Sequence, residues 1–146
     1  MTPSRFEFWR KWLIAANVMT LLVGLLTAFA GNSIFFVTHN AGTRDLFFSG
    51  QSLPPEVMAL KNWLFGIIGG TIVGFHLLMI FICTHPFRER KRWSWQALTL
   101  GLLSWFVIDS SVSAYYGAWY NLYLINFVAL ALIGIPLVAT YRACDQ

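Results

Sequence analysis

Charge is scarce in this chain of 146 residues: Asp, Glu, Lys and Arg make up 11% of it, where a soluble domain carries roughly a quarter. With 58% of its residues hydrophobic, the chain is not expected to be a solvated globule. Cysteine is rarer still, with only Cys83 and Cys144, and neither a C-x-x-C nor a Cys/His spacing supplies the four close ligands of a zinc site. No metal centre is therefore expected. Acids are almost absent from the apolar stretches, where Asp109 is the only one, and no internal repeat or low-complexity segment is present. The net charge of +4 does not imply nucleic acid, because the basic residues sit in short clusters beside apolar runs and form no patch interleaved with polar sequence.

What the chain does have is length in its apolar runs. Four of them, at about 12–30, 63–83, 95–115 and 119–141, reach the roughly 20 helical residues that cross a hydrocarbon core of about 30 Å. The expected fold class is all-α: an integral membrane four-helix bundle forming one domain over 1–146. The first run follows Arg5, Arg10 and Lys11 and ends in Ala28-Phe29-Ala30, as a signal peptide would. Its length exceeds the usual signal core of about 7 to 15 residues, so it reads as an uncleaved span.

Lys and Arg set the expected orientation, because cytoplasmic flanks carry their excess. Arg5, Arg10, Lys11, Arg88, Arg90, Lys91, Arg92 and Arg142 fall on one side of the four spans, and only Arg44 and Lys61 on the other. Both termini are thus expected in the cytoplasm, in a bacterial-type inner membrane, with the long connection between spans one and two outside. Both cysteines then lie on the reducing side, where a structural disulfide is not expected. Trp9, Trp12, Trp93 and Trp95 on one edge and Trp63, Tyr115, Tyr116, Trp119 and Tyr120 on the other fit interfacial anchors.

The outer connection carries Phe35, Phe36, Phe47 and Phe48, too apolar for a disordered linker, so it is expected to fold over the outer mouth of the bundle or to lie at the headgroup level. Within it, Ser52-Leu53-Pro54-Pro55-Glu56 reads as a helix start with Ser52 as the cap. Pro86 stops span two, so spans two and three form an antiparallel hairpin, and the short Tyr116-Gly117-Ala118 link makes spans three and four antiparallel neighbours.

Candidate chemistry falls on two levels. An ionisable residue inside a membrane is costly and normally faces a partner, which singles out Asp109. Asp109 lies seven residues before Tyr116 and Asn126 seven after Trp119, each about 10 Å below the outer edge, so the two can meet across antiparallel helices. Helical spacing puts Trp105, Ser113 and Tyr116 on the side of span three that carries Asp109. These five residues either line a ligand pocket or cross-link two helices by hydrogen bonds. On the inner level His76 and Asn17 are each eight residues from their edges. A histidine there can bind a ligand, relay a proton or hold a haem, although no second intramembrane histidine is available for a bis-histidine haem within one chain.

On span two Gly66, Gly70 and Gly74 repeat every four residues, a doubled G-x-x-x-G that admits another helix closely, within this chain or in a homodimer. Pro136 frees a backbone carbonyl on span four.

The aromatic content of 17%, the glycine repeat and the lack of paired catalytic groups favour a non-enzymatic role: binding a lipid-soluble ligand, with a lipid or pigment as the bound group, or serving as an accessory subunit. The expected partners are membrane lipids and a homo-oligomer or larger membrane complex. The alternatives are an enzyme acting on a lipid or isoprenoid, with Asp109 and His76 as acid and base, and an oligomeric transporter or channel. Asp109 and His76 lie on levels about 9 Å apart along the helix axis, too far to share a proton directly.

Overall fold

The computed structural model describes residues 1–144, which contain no strand. Four helical segments are long and apolar enough to span a membrane: Pro3–Ala30, Pro55–Thr84, Arg92–Tyr115 and Trp119–Ala143. The first three are single helices, α1, α3 and α4, and α2 (Val37–Phe48) lies between α1 and α3. The fourth is built from a short α5 (Trp119–Asn121), a π turn (Leu122–Asn126), α6 (Phe127–Thr140) and a closing 3-10 turn (Tyr141–Ala143).

α1 begins earlier than the apolar run, because Thr2 caps it and Pro3 starts its first turn; the Thr2 hydroxyl accepts from the Arg5 backbone N–H at 3.4 Å. The lead-in is thus continuous with span one. α3 likewise extends beyond its apolar run, starting at Pro55 with Glu56 in the first turn. Its cap position is Pro54, which offers no side-chain bond, so the expected cap at Ser52 is corrected: two successive prolines with their fixed φ set the start instead. α2 ends where Ser49 (φ 50°) and Gly50 (φ 78°) turn left-handed and return their N–H groups to the Arg44 carbonyl.

α1 packs most extensively on α3 and also on α6, and α6 packs on α4. Spans two and three follow one another through a short turn, yet the contact between α3 and α4 is narrow. It includes Gly101, where the Phe75 ring lies 3.2 Å from the place a Cβ would occupy. The main partner of α3 is α1, at a crossing set by Gly69: a Cβ there would lie 2.5 Å from the Gly24 carbonyl oxygen and 2.6 Å from the Ala28 amide. Only glycine allows this backbone approach.

The apolar core gathers at the end of the bundle that carries the termini. Phe6, Leu13 and Ala16 of α1 meet Met79 and Cys83 of α3, Phe87 of the turn that follows α3, Leu98 and Leu102 of α4, Ile133 and Leu137 of α6, and Cys144. Cys83 and Cys144 are both buried, and they form no disulfide with each other. Phe6 packs on Phe87 with ring centroids 5.3 Å apart, and Arg90 lies over the Phe6 ring at 4.7 Å. Arg10 grips Glu7 through two bonds of 2.8 and 2.6 Å and donates to the Cys83 carbonyl at 3.2 Å, supplying a partner at the C-terminal end of α3.

Tryptophans from two other helices do the same for α6. Pro136 has no N–H, so the Leu132 carbonyl four residues earlier has no helical donor, and the Trp12 indole donates to it at 3.0 Å. At the 3-10 end Tyr141 N–H turns to Val138, and the Leu137 carbonyl accepts from the Trp95 indole at 2.8 Å. Apolar surroundings offer no water to these carbonyls, so the Trp12 indole removes a costly vacancy at Leu132, and the Trp95 indole joins the Thr140 hydroxyl, 3.2 Å away, on Leu137.

Candidate functional site

At the loop end of the bundle α4 and span four meet through a polar cluster. Asn126 Nδ2 donates to Asp109 Oδ2 at 2.6 Å and to Ser110 Oγ at 2.9 Å. Asn121 Nδ2 donates to the same Asp109 oxygen at 2.9 Å and to Ser113 Oγ at 2.9 Å. Two amides five residues apart would stand about 140° apart on an α-helix. The π turn between them closes over five residues, with Phe127 N–H on the Leu122 carbonyl, and returns both amides to one side. The backbone irregularity is therefore what assembles the cluster.

Asn126 is 0% exposed, and its Oδ1 meets no donor among the described residues. Buried carbonyl oxygens normally have one, so this atom marks an incomplete hydrogen-bond set beside the carboxyl group.

Asp109 and Asn126 thus meet as the depth count predicts, and Ser113, on the Asp109 side of α4, joins them through Asn121. Trp105 is not in the cluster: it is half-buried against the apolar core. Tyr116 is exposed near the end of α4, its ring tilted against Phe47 of α2 at 6.2 Å. Asn121 of span four and Ser110 of α4 complete the set, and Asn121 does not follow from α-helical spacing.

On the other level His76 Nδ1 lies 2.7 Å from Asn17 Oδ1, and Asn17 Nδ2 donates to the Leu13 carbonyl at 2.7 Å. The commitment of the amide N–H to Leu13 turns the Asn17 oxygen toward the ring. His76 Nδ1 is then the donor, and in the neutral imidazole Nε2 carries the lone pair. His76 and Asn17 join α1 to α3, whereas Asp109 joins α4 to span four, so the two levels are separate networks.

Gly66, Gly70 and Gly74 face away from the rest of the chain: a Cβ at any of them would meet nothing within 4 Å. Packing within the chain therefore does not use this stripe. It uses Gly69, about 100° round the helix from Gly70, because that is the side α1 occupies.

Above the spans, α2 folds over the loop end. Thr43 Oγ1 lies 2.9 Å from the Tyr120 hydroxyl, and the Tyr120 ring lies 2.6 Å from the place a Cβ at Gly42 would occupy. His39 sits edge-on to Tyr120 at 5.2 Å and to Phe65 at 5.9 Å. Burial, with a smaller contribution from Lys61, pushes the His39 pKa below its ordinary 6.5. Beside α2 is a cleft of about 310 Å³ whose polar lining includes Asn32, Ser33, Asn40, Arg44 and Lys61. Lys61 Nζ donates to Asn32 Oδ1 at 2.6 Å and lies 4.7 Å from the Phe65 ring centre.

Among the described residues no group of three or more His, Cys, Asp or Glu is placed to hold a metal ion. No family model, curated protein or solved structure matches this chain.

Proposed function

We propose that this small membrane protein binds a lipid-soluble ligand at the Asp109–Asn126 cluster. The observation that carries the reading is the wholly buried Asn126 Oδ1 without a donor, set against a carboxyl group that already accepts two amide N–H groups. Such a site calls for a molecule that brings a hydroxyl or N–H donor on an otherwise apolar body, such as an isoprenoid alcohol or a sterol-like lipid. The π turn supports the same reading, because this irregularity is frequent at functional sites.

A second reading, as an accessory subunit, is favoured by the glycine stripe. Gly66, Gly70 and Gly74 leave an open strip of backbone on the outside of α3, a surface suited to a helix of another chain. Both readings take the protein to lie in a cytoplasmic membrane with its termini inside, on the strength of the Lys and Arg distribution.

Native mass spectrometry of the protein in mild detergent tests them together. A retained small molecule that is lost in Asn126→Leu, with the helical fold intact, supports the ligand site. A complex with other chains that Gly70→Leu breaks supports the subunit reading. Retention of the small molecule in Asn126→Leu would sink the ligand site as placed.

A further inference from the structure

We propose that the loop-end cleft binds a phosphate-bearing headgroup with neighbouring hydroxyls, held by Arg44 and Lys61. The assignment does not rest on the Asp109 cluster.

The basic residues of the outer connection are few, and their placement is the first argument. Arg44 and Lys61 are the only two of the chain's ten Lys and Arg that lie on the loop side of the four spans, and both line this one cleft. They come from different helices, α2 and α3, so sequence proximity does not explain their meeting. Asp45 and Glu56, the acids of the same connection, are not among the lining residues. The cleft thus has two positive charges and no negative one.

Hydrogen-bonding capacity is the second argument. The Arg44 side chain makes no ion pair or hydrogen bond among the described residues, and its planar guanidinium suits two phosphate oxygens at once. The Lys61 ammonium commits one N–H to Asn32 and keeps two. Ser33 Oγ and Asn40 Oδ1, both on the lining, are buried atoms without partners. Asn40 Nδ2 is committed to the Gly31 carbonyl at 3.0 Å, which leaves its oxygen to accept from a hydroxyl. A simple anion would satisfy the cations and leave that acceptor empty, whereas a phosphate with hydroxyls beside it satisfies both.

Depth is the third argument. The cleft lies where α2 folds over the ends of the spans, and Phe29, Ile34 and Phe35 nearby are 75–86% exposed. Such side chains belong in the boundary between acyl chains and headgroups, which puts Arg44 and Lys61 at the level of lipid phosphates.

The test uses the full chain in mild detergent with equal amounts of phosphatidylglycerol and phosphatidylcholine, read by native mass spectrometry. Three proteins are compared with the wild type. They are the pair Arg44→Gln/Lys61→Gln, Arg44→Gln alone, and the pair Arg5→Gln/Lys11→Gln, which removes equal charge at the other end. The wild type should keep phosphatidylglycerol over phosphatidylcholine, the outer pair should keep at least fivefold less of it, and Arg44→Gln alone at least twofold less with its melting temperature unchanged. The control pair should keep most of it. If lipid is not retained selectively but millimolar inorganic phosphate raises the melting temperature of the wild type and not of Arg44→Gln, the phosphate source is a soluble one and the site stands. Equal retention in the wild type and Arg44→Gln with no difference in phosphate response overturns the proposal, as does an equal loss from both pairs.

Discussion

The Trp12 indole on α1 donates to the Leu132 carbonyl that Pro136 leaves without a helical partner, at 3.0 Å. Proline and tryptophan lie in the last and first spans but act as one device: the break in α6 creates an acceptor, and α1 is fastened to it. Trp12→Phe should therefore lower stability in detergent by about 1 kcal/mol, the scale of hydrogen bonds between membrane helices. In the Pro136→Ala background the same change should cost clearly less, because alanine restores a backbone N–H that can serve the Leu132 carbonyl. A thermal-unfolding double-mutant cycle checks this, and additive losses would refute the coupling.

The Asp109 cluster predicts different outcomes for two similar changes. In Asp109→Asn an amide oxygen can still accept from Asn121 and Asn126, so the melting temperature should shift little. Asn126→Leu removes both donors, leaving Ser110 and part of Asp109 unsatisfied at a cost of about 1–2 kcal/mol. Equal destabilisation by the two would mean that the carboxylate charge, and not the amide bonds, holds the helices together.

Neighbouring glycines on α3 should respond in opposite ways. Gly69→Ala places a methyl 2.5 Å from the Gly24 carbonyl oxygen and forces α1 and α3 apart, an overpacking cost of about 1–3 kcal/mol. Gly70→Ala meets nothing and should be neutral or stabilising by less than about 1 kcal/mol through helix propensity. Melting curves of the two variants, measured together, distinguish them. A loss at Gly70 that depends on protein concentration would instead reveal a partner helix on the stripe.

Acid should loosen the cap formed by α2. Because the folded pKa of His39 lies below 6.5, the neutral ring is favoured in the fold, and its contribution is fully present above pH 6.5. As pH falls below 6.5 the unfolded state takes up the proton first, so this contribution is lost down to the folded pKa. Hydrogen exchange in α2 should accelerate across that window. His39→Phe, which keeps the ring packing against Tyr120 and Phe65, should abolish the acceleration.

Hydropathy alone made the four spans legible, and counting depth from the span edges paired Asp109 with Asn126 and His76 with Asn17. Those pairs could be read because antiparallel helices place equal counts at equal heights. Asn121 was hidden by the π turn: at α-helical spacing it falls on a different side from Asn126, and only the recurrence of asparagine after five residues hints otherwise. Gly69 was hidden by the regular repeat beside it. Its partners, Gly24 and Ala28, form a small-x-x-x-small pair on α1 that is the better sign of where the helices cross. Trp105 and Tyr116 share a helix side with Asp109, but the fold sends one to the core and the other to the surface.

The apolar core occupies the end of the bundle near the termini, while the loop end is held by the amide cluster, a glycine contact and the cap. Such a distribution makes the molecule a pair of tongs with a stiff pivot and light tips. At the tips the Gly69 contact holds the α1–α3 arm and the amide cluster holds the α4–α6 arm, and the cap links the two through Thr43 and Tyr120 while the pivot stays packed. Opening the tips would release α2 from Tyr120 and leave each span folded.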